Sequence, residues 1–141
     1  ALVGMLDERA HTREISRFGG IWGEAPVFAC FFLFFSMASA GLPGLNNFAG
    51  EFLVLAGAFR SVPLAAAIAF AGIVLALVYT VRLVQDTLFG NKRSQLELAD
   101  LSPREGAILA VLALVALYLG IHPAPLLDLL RTPVALLTGT P

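Results

Sequence analysis

The sequence predicts an all-α integral membrane protein with three transmembrane elements, of which the first is a discontinuous, broken helix. Three observations predict this class. Apolar residues (AVILMFWYC) make up 58% of the 141 residues and charged residues only 13%, whereas soluble domains carry about 25% charged residues. The charged residues also leave three long uncharged gaps. The net charge of −1 provides no basic face for nucleic acid, and the single cysteine allows no disulfide within the chain.

The uncharged gaps lie between positions 24 and 51, 60 and 82, and 105 and 128. Because a charge in hydrocarbon is costly and a span needs about 20 mostly apolar residues, each gap can hold one span. The chain therefore divides into the end of a preceding helix plus a cytoplasmic polar loop (1–24), a discontinuous transmembrane helix broken near 41–47 (25–60), a transmembrane helix (61–89), a cytoplasmic loop (90–103), a transmembrane helix (104–121) and a C-terminal tail (122–141).

A cluster of helix-breaking residues interrupts the first span. Pro43 stops its first half because proline has no amide hydrogen, while Gly41 and Gly44 permit backbone angles that other residues avoid. Asn46 or Asn47 suits the N-cap of the second half. A broken helix in a membrane leaves backbone polar groups that only protein or a water-filled cavity can receive. Such helices recur at the ion and substrate sites of transporters.

Residues 25–60 can form one broken span or two separate spans, and the positive-inside rule favours the first. With one broken span, seven of the nine Lys and Arg residues fall on one side of the membrane. With two spans, the basic segments lie on opposite sides and this bias largely vanishes. The second half, roughly 18 Å long, is also too short to cross alone. We therefore predict cytoplasmic basic loops and a C-terminus on the opposite side.

Glu51 is the only acidic residue in the apolar interior of these spans, and it follows the break within about one helical turn. Nine positions separate it from Arg60, roughly 13 Å of helix, which is close to half of the approximately 30 Å hydrocarbon core. An ionisable residue near the midplane is a functional-site hypothesis by default, in this case for taking up and releasing protons. The simpler alternative is that Glu51 only hydrogen-bonds loose backbone at the break.

Three further residues are weaker candidates for a proton relay. Arg82 and Asp86 have the i, i+4 spacing of a local ion pair at a helix end, or they form a relay at the end of the path. His122 is either a solvated histidine at the membrane interface or a relay. The sequence has no glycine-rich phosphate loop and no metal-ligand spacing. We therefore expect no cofactor, metal or redox centre in this chain.

The stretch 36–59, with Gly-Leu-Pro-Gly at 41–44 and Gly-Glu-Phe at 50–52, resembles the antiporter-like subunits of the proton-pumping NADH:quinone oxidoreductase, respiratory complex I. It is most similar to the M-type subunit, the counterpart of the mitochondrial chain-4 subunit. Residues 8–14, 19–22 and 120–123 are similar to the same family, so the likeness covers nearly the whole chain.

The resemblance implies the C-terminal portion of a subunit in which the broken helix carries the last residue of a proton half-channel. That position falls on Glu51, where the L- and N-type paralogues have lysine. The resemblance also implies the inner (cytoplasmic) membrane of a bacterium, with NADH, FMN, iron–sulfur clusters and quinone bound by partner subunits. The implied partners are other membrane subunits of the complex, the preceding helices of the same subunit, lipids and protons, with no nucleic acid.

The leading hypothesis is therefore a non-redox component of NADH:quinone oxidoreductase, which carries protons through a half-channel ending at Glu51. Electron transfer in other subunits would drive this transport. Two alternatives stay open. One is a subunit of a proton-linked cation antiporter, which lysine at position 51 would have favoured. The other is a structural membrane scaffold whose helices only hold their neighbours.

Overall fold

The computed structural model describes residues 2–10, 18–90, 99–125 and 127–129. Within these ranges all regular structure is helical, so the prediction of an all-α chain is confirmed. The helices are α1 (Leu2–Ala10), α2 (Ile21–Glu24), α3 (Pro26–Ser39), α4 (Asn46–Ser61), α5 (Pro63–Val84), which a π-helical turn (Gln85–Phe89) extends, and α6 (Pro103–Ile121).

Within the described ranges, two helices are long and apolar enough to cross a membrane. Together with its π-helical turn α5 has 27 residues, and α6 has 19, which correspond to about 40 Å and 28 Å of helix. In each helix, only 6% of the most apolar stretch of 18 residues is buried within the chain. Apolar side chains such as Leu64 and Leu114 therefore point outward. Helices that are apolar all round and not buried within their own chain are typical of membrane spans.

The predicted broken helix consists of α3, with 14 residues, and α4, with 16. Neither reaches the about 20 residues that a span needs. The next helix, α5, starts directly after α4 at Pro63. It ends where Phe89 stacks on Trp22, just before α3, with the ring centroids 5.3 Å apart. The chain of α5 therefore runs back from the end of α4 to the start of α3.

The packed core lies where α2 and the start of α3 meet the end of α5. Ala29 and Leu88 are fully buried there. The core cluster contains Leu6, Phe18, Ile21, Ala25, Phe28, Ala29, Phe32, Val84 and Leu88. In contrast, α4 has no buried residue. The half of the broken helix that carries Glu51 is therefore covered least by the described part of the chain.

Hydrogen bonds and an ion pair connect the start of α6 and the segment before it to α1 and α3. The carboxylate of Asp100 accepts hydrogen bonds from the backbone N–H groups of Val27 (3.1 Å) and Phe28 (3.0 Å), and so caps the N-terminus of α3. Arg9 of α1 pairs with Glu105 of α6, with Nη2 and Oε2 2.7 Å apart. These contacts join three elements at the same end of the bundle as the apolar core.

The cap also determines how Asp100 titrates. Partial burial raises the pKa of Asp100, but the N–H groups of Leu101, Phe28 and Val27 and the nearby Arg9 guanidinium outweigh this effect and lower the pKa below its ordinary value. A lowered folded-state pKa stabilises the fold above the unfolded-state pKa of about 3.9. This contribution is lost as the pH falls through the lowered value.

We expect Asp100→Ala to lower the stability by about 0.5–2 kcal/mol, the usual cost of losing an N-cap. The midpoint of thermal unfolding of the full-length protein in detergent measures this change. Asp86→Asn, which alters an exposed acid, is the control. The difference in unfolding midpoint between the wild type and Asp100→Ala should begin to narrow below about pH 4, where Asp100 of the unfolded chain takes up a proton, and should continue to narrow until the pH passes the lowered folded-state pKa. An unchanged midpoint at neutral pH would contradict the capping role.

Several residues that determine the predicted orientation lie outside the described residues. They are Arg13, Arg17, Lys92 and Arg93 of the two basic segments, and Arg131 of the tail. The sidedness of the loops and of the C-terminus therefore stays a prediction.

Candidate functional site

The C-terminal end of α3 closes around Gly41 with two overlapping backbone hydrogen bonds. The N–H of Gly41 donates to the carbonyl of Ala38, and the N–H of Leu42 donates to the carbonyl of Met37, both at 3.3 Å. Gly41 has φ +73°, the left-handed conformation that this helix ending requires and that glycine adopts at low cost. The bonds satisfy two of the carbonyl groups that a helix end leaves open.

A tight turn over residues 42–45 then redirects the chain. The N–H of Leu45 donates to the carbonyl of Leu42 at 3.1 Å. Pro43 and Gly44 occupy the two central positions, and Gly44 has φ +91°, as a type II turn requires. The helical structure is therefore interrupted over residues 40–45, and Gly41, Pro43 and Gly44 each have a definite place in this interruption.

The N-cap of α4 is Leu45, which has an extended backbone (φ −109°, ψ 158°) and makes no side-chain cap. Its carbonyl accepts the N–H of Phe48 at 3.2 Å. The expectation that Asn46 or Asn47 caps this helix is therefore wrong. The turn closes at Leu45, so both asparagines already belong to the first helical turn and their side chains are available for other contacts.

The amide of Asn47 connects Glu51 to the end of α3. Its Nδ2 donates to Oε1 of Glu51 at 2.9 Å and to the carbonyl of Ser39 at 3.2 Å. An amide nitrogen carries two hydrogens, so both bonds form together. Within the described part of the chain, the contact with open backbone at the break is thus made by Asn47 and not by Glu51.

The second carboxylate oxygen of Glu51 lies against Gly41. A Cβ atom at position 41 would collide with Oε2 and would lie 3.1 Å from Cδ. The carboxyl group, which is half-buried, therefore occupies space that a side chain at position 41 would fill. The positive φ favours glycine here, whereas the contact alone would require only that the flexible end of the Glu51 side chain move aside.

Gly120, near the C-terminal end of α6, packs directly against the turn. A Cβ atom on Gly120 would collide with the carbonyl oxygen of Gly44 and with the backbone of Leu45. This contact was not predicted from the sequence. A glycine at the end of an apolar helix is also common simply because it ends the helix. The local sequence therefore does not show whether Gly120 ends α6 or allows another segment to pack closely against it.

A cavity of about 440 Å³ lies between α3, α4 and α6 beside the break. Ser39, Asn46 and Asn47 provide its polar lining, and side chains such as Phe35 and Leu119 provide the apolar part. Because a water molecule takes about 30 Å³ in the liquid, a space of this size can hold several. Asn47 therefore contacts both this space and Glu51.

Arg82 and Asp86 are both exposed, and in the described part of the chain they form no ion pair with each other. The expected local pair is therefore wrong. The backbone between them keeps α-helical angles at Val84 and Gln85, so the spacing itself would allow the pair. Two exposed ions gain little from pairing, because holding two side chains in one geometry costs entropy and water already solvates both charges. Both residues lie at the end of α5 that packs against α2, whereas Glu51 lies beyond the other end of α3.

His122 follows α6 as its C-cap residue and is exposed. Its ring stacks on Tyr118, with the centroids 6.1 Å apart and the planes inclined by 8°. It is two residues from Gly120 and thus lies at the end of α6 that meets the break. A relay role for His122 stays a prediction.

Within the described ranges, no group of three or more His, Cys, Asp or Glu residues could hold a metal ion. The structure thus brings together Glu51, Asn47 and Gly41 at the break, with Pro43 and Gly44 in the adjoining turn.

Comparison with known proteins gives a family match over the first part of the chain. The profile of the family described as NADH:quinone oxidoreductase/Mrp antiporter, transmembrane, matches residues 1–77. This range contains α1 to α4 and the whole break.

Similar curated proteins extend over nearly the whole chain. NADH-quinone oxidoreductase subunit M of Pseudomonas aeruginosa is 42% identical over 128 residues, which is 91% of this chain and 25% of that protein. Subunit M of Rhodobacter capsulatus is 40% identical over 135 residues, 94% of this chain and 26% of that protein. NADH-ubiquinone oxidoreductase chain 4 of Marchantia polymorpha is 36% identical over 135 residues, 94% of this chain and 27% of that protein.

A solved structure described as respiratory complex I from Thermus thermophilus with bound NADH contains a similar chain. The TM-score is 0.77 at 38% sequence identity, and the match covers 87% of this chain and 26% of that chain. The chain thus spans about a quarter of the length of the relatives that it matches.

Proposed function

The chain belongs to the NADH:quinone oxidoreductase/Mrp antiporter transmembrane family, and on this basis we propose that it forms part of the proton-translocating, M-type membrane subunit of respiratory complex I. The relatives named subunit M or chain 4 support this choice within the family. In this proposal the chain transports protons and takes no part in electron transfer. NADH, FMN, iron–sulfur clusters and quinone bind to partner subunits.

The observation that carries the proposal is the carboxyl group of Glu51 at the break between α3 and α4. One oxygen is hydrogen-bonded by Asn47 at 2.9 Å, and the other lies against Gly41. Broken helices of this kind recur at transport sites, and an acid in such a helix is a functional candidate by default. Glu51 takes up a proton on one side of a conformational step and releases it on the other.

The residues around Glu51 orient it and provide a polar environment. Asn47 holds the carboxyl group at the open end of α3, and the turn at 42–45 keeps the half-helices apart. The adjacent cavity of about 440 Å³ can hold the water through which a proton reaches the site. Because the group gains and loses a proton, it need not hold a permanent charge in a low-dielectric region.

In the proposed topology, α3 and α4 form one broken span. The path of α5 supports this topology, because α5 with its π-helical turn runs from the end of α4 back to Trp22, just before α3. This single helix of about 40 Å therefore spans the same distance as α3 and α4 together. The basic segments then lie in the cytoplasm of a bacterium and the C-terminus on the opposite side. Lipids and other membrane subunits cover the apolar faces of α4, α5 and α6.

The test uses inverted membrane vesicles from cells that produce the full-length subunit in its complex. We expect NADH oxidation to acidify the vesicle lumen, and we expect this acidification to persist without a sodium gradient. Exchange of Na⁺ for H⁺ in the absence of NADH would instead support the antiporter alternative. Wild-type acidification by an assembled complex with Glu51→Ala would support the scaffold alternative.

A further inference from the structure

The side chain of Asn47 contacts both halves of the broken helix and Glu51. Asn47 is the second residue of α4, yet its amide reaches back to the carbonyl of Ser39, the last residue of α3. The same nitrogen donates to Oε1 of Glu51, one turn further along α4. The bond to Glu51 alone would be an ordinary i, i+4 contact on a helix surface. The second bond fixes the amide relative to the other half-helix.

The open carbonyl groups of α3 explain why the amide of Asn47 is held in place. The carbonyls of residues 36–38 accept backbone N–H groups of residues 40–42. In the described part of the chain, the carbonyl of Ser39 accepts the amide of Asn47 instead. A backbone carbonyl without a partner is costly in an apolar environment. This cost favours the rotamer in which the second amide hydrogen points at Glu51.

The two oxygens of Glu51 therefore differ. Oε1 accepts the hydrogen bond from Asn47. Oε2 lies beside Gly41 and accepts no hydrogen bond from the described residues. An oxygen whose lone pair already accepts an N–H group is the poorer place for an added proton, because protonation there weakens the existing bond.

We propose that Asn47 is the positioning residue of this site: it holds Oε1 of Glu51 at the open end of α3 and leaves Oε2, beside Gly41, as the oxygen that gains and loses the proton. This inference rests on the proposed role of Glu51 in proton transfer. When a proton arrives, an O–H bond forms at Oε2, and the same bond breaks when the proton passes to the next acceptor. Asn47 keeps both of its amide hydrogens throughout.

The test uses the whole complex with Asn47→Leu, which removes the amide but keeps a side chain of similar size. Gln85→Leu, which replaces an exposed amide in the π-helical turn, is the matched control. Two quantities are measured: NADH-driven proton pumping, and the infrared stretching band of the Glu51 carboxyl group. The band is identified by its disappearance in Glu51→Gln.

We expect Asn47→Leu to lower the pumping rate by about tenfold, because misplacing a reacting group by about 1 Å costs up to 10²-fold. We also expect it to shift the carboxyl band, since Oε1 loses its donor. Gln85→Leu should leave the pumping rate and the band unchanged. Asn47→Ala removes the same amide without a branched side chain and should have the same two effects, which keeps the test informative if Asn47→Leu does not assemble.

Wild-type pumping, or an unshifted carboxyl band, in an assembled Asn47 variant would overturn the inference. A fall in pumping with an unshifted band would show that Asn47 only stabilises the break. Failure of the proposed function gives a different result from failure of this inference. If Glu51 does not transfer protons, Glu51→Gln itself pumps at the wild-type rate.

Discussion

Glu51→Gln in the whole complex is expected to lower the rate of NADH-driven proton pumping by about 10²-fold or more, the usual contribution of a positioned acid–base group to proton transfer. Glutamine has nearly the same size as glutamate, and its amide oxygen can accept the hydrogen bond that Asn47 now donates to Oε1. The packing of the break is therefore retained while the exchangeable proton is lost. The initial rate of acidification of inverted vesicles measures the effect.

Two further variants make this result specific. Glu51→Asp keeps the carboxyl group but withdraws it by one methylene group from Asn47, so we expect part of the pumping to remain. Glu8→Gln changes an exposed acid on α1 and should pump at the wild-type rate. Equal rates for Glu51→Gln and the wild type would show that proton transfer does not depend on this carboxyl group.

Gly120→Ala is expected to lower the stability by about 1–3 kcal/mol, the typical cost of forcing extra atoms into a packed contact. The added Cβ would collide with the backbone of Gly44 and Leu45, and backbone cannot move aside as a flexible side chain does. The turn would have to shift away from α6 and would take the start of α4 with it. We therefore also expect slower proton pumping.

The same helix provides the matched control. A Cβ atom on Gly106, in the first turns of α6, would meet nothing within 4 Å. Alanine is favoured over glycine within helices by up to about 1 kcal/mol, so Gly106→Ala should be neutral or stabilising. Thermal unfolding in detergent compares the two variants. Equal effects of the two substitutions would contradict the close packing of Gly120 on the turn.

The position of the break could be predicted from sequence because its causes are local. The proline ring of Pro43 fixes its backbone angle φ and removes an N–H donor. The missing side chains of Gly41 and Gly44 allow backbone angles that other residues avoid. The structure places these three residues at the helix ending and in the turn. The two long apolar helices were predictable for the same reason, since uncharged length alone indicates a span.

The contacts around Glu51 could not be predicted, because they depend on how separate segments approach each other. Gly120 is 76 positions from Gly44, and no local pattern relates the two. The N-cap prediction failed because the turn closes at Leu45, one residue before the asparagines. The predicted pair of Arg82 and Asp86 does not form although the backbone between them is α-helical, because spacing alone does not make two exposed ions pair.

The resemblance to M-type subunits is confirmed by the family match and by relatives that cover at least nine-tenths of the chain. Composition alone indicates only a membrane protein. The Gly-Leu-Pro-Gly and Gly-Glu-Phe blocks at 41–44 and 50–52 are more informative. In the structure these two blocks meet where the carboxyl group of Glu51 lies against Gly41.

The central claim is that the carboxyl group of Glu51 carries the transported proton. The number of protons translocated per electron pair tests it most directly, in proteoliposomes that contain the complete complex with Glu51→Gln. This ratio is independent of how much complex assembles and of how fast electrons flow. We predict a ratio below that of the wild type in any preparation that still oxidises NADH, and an unchanged ratio would contradict the claim.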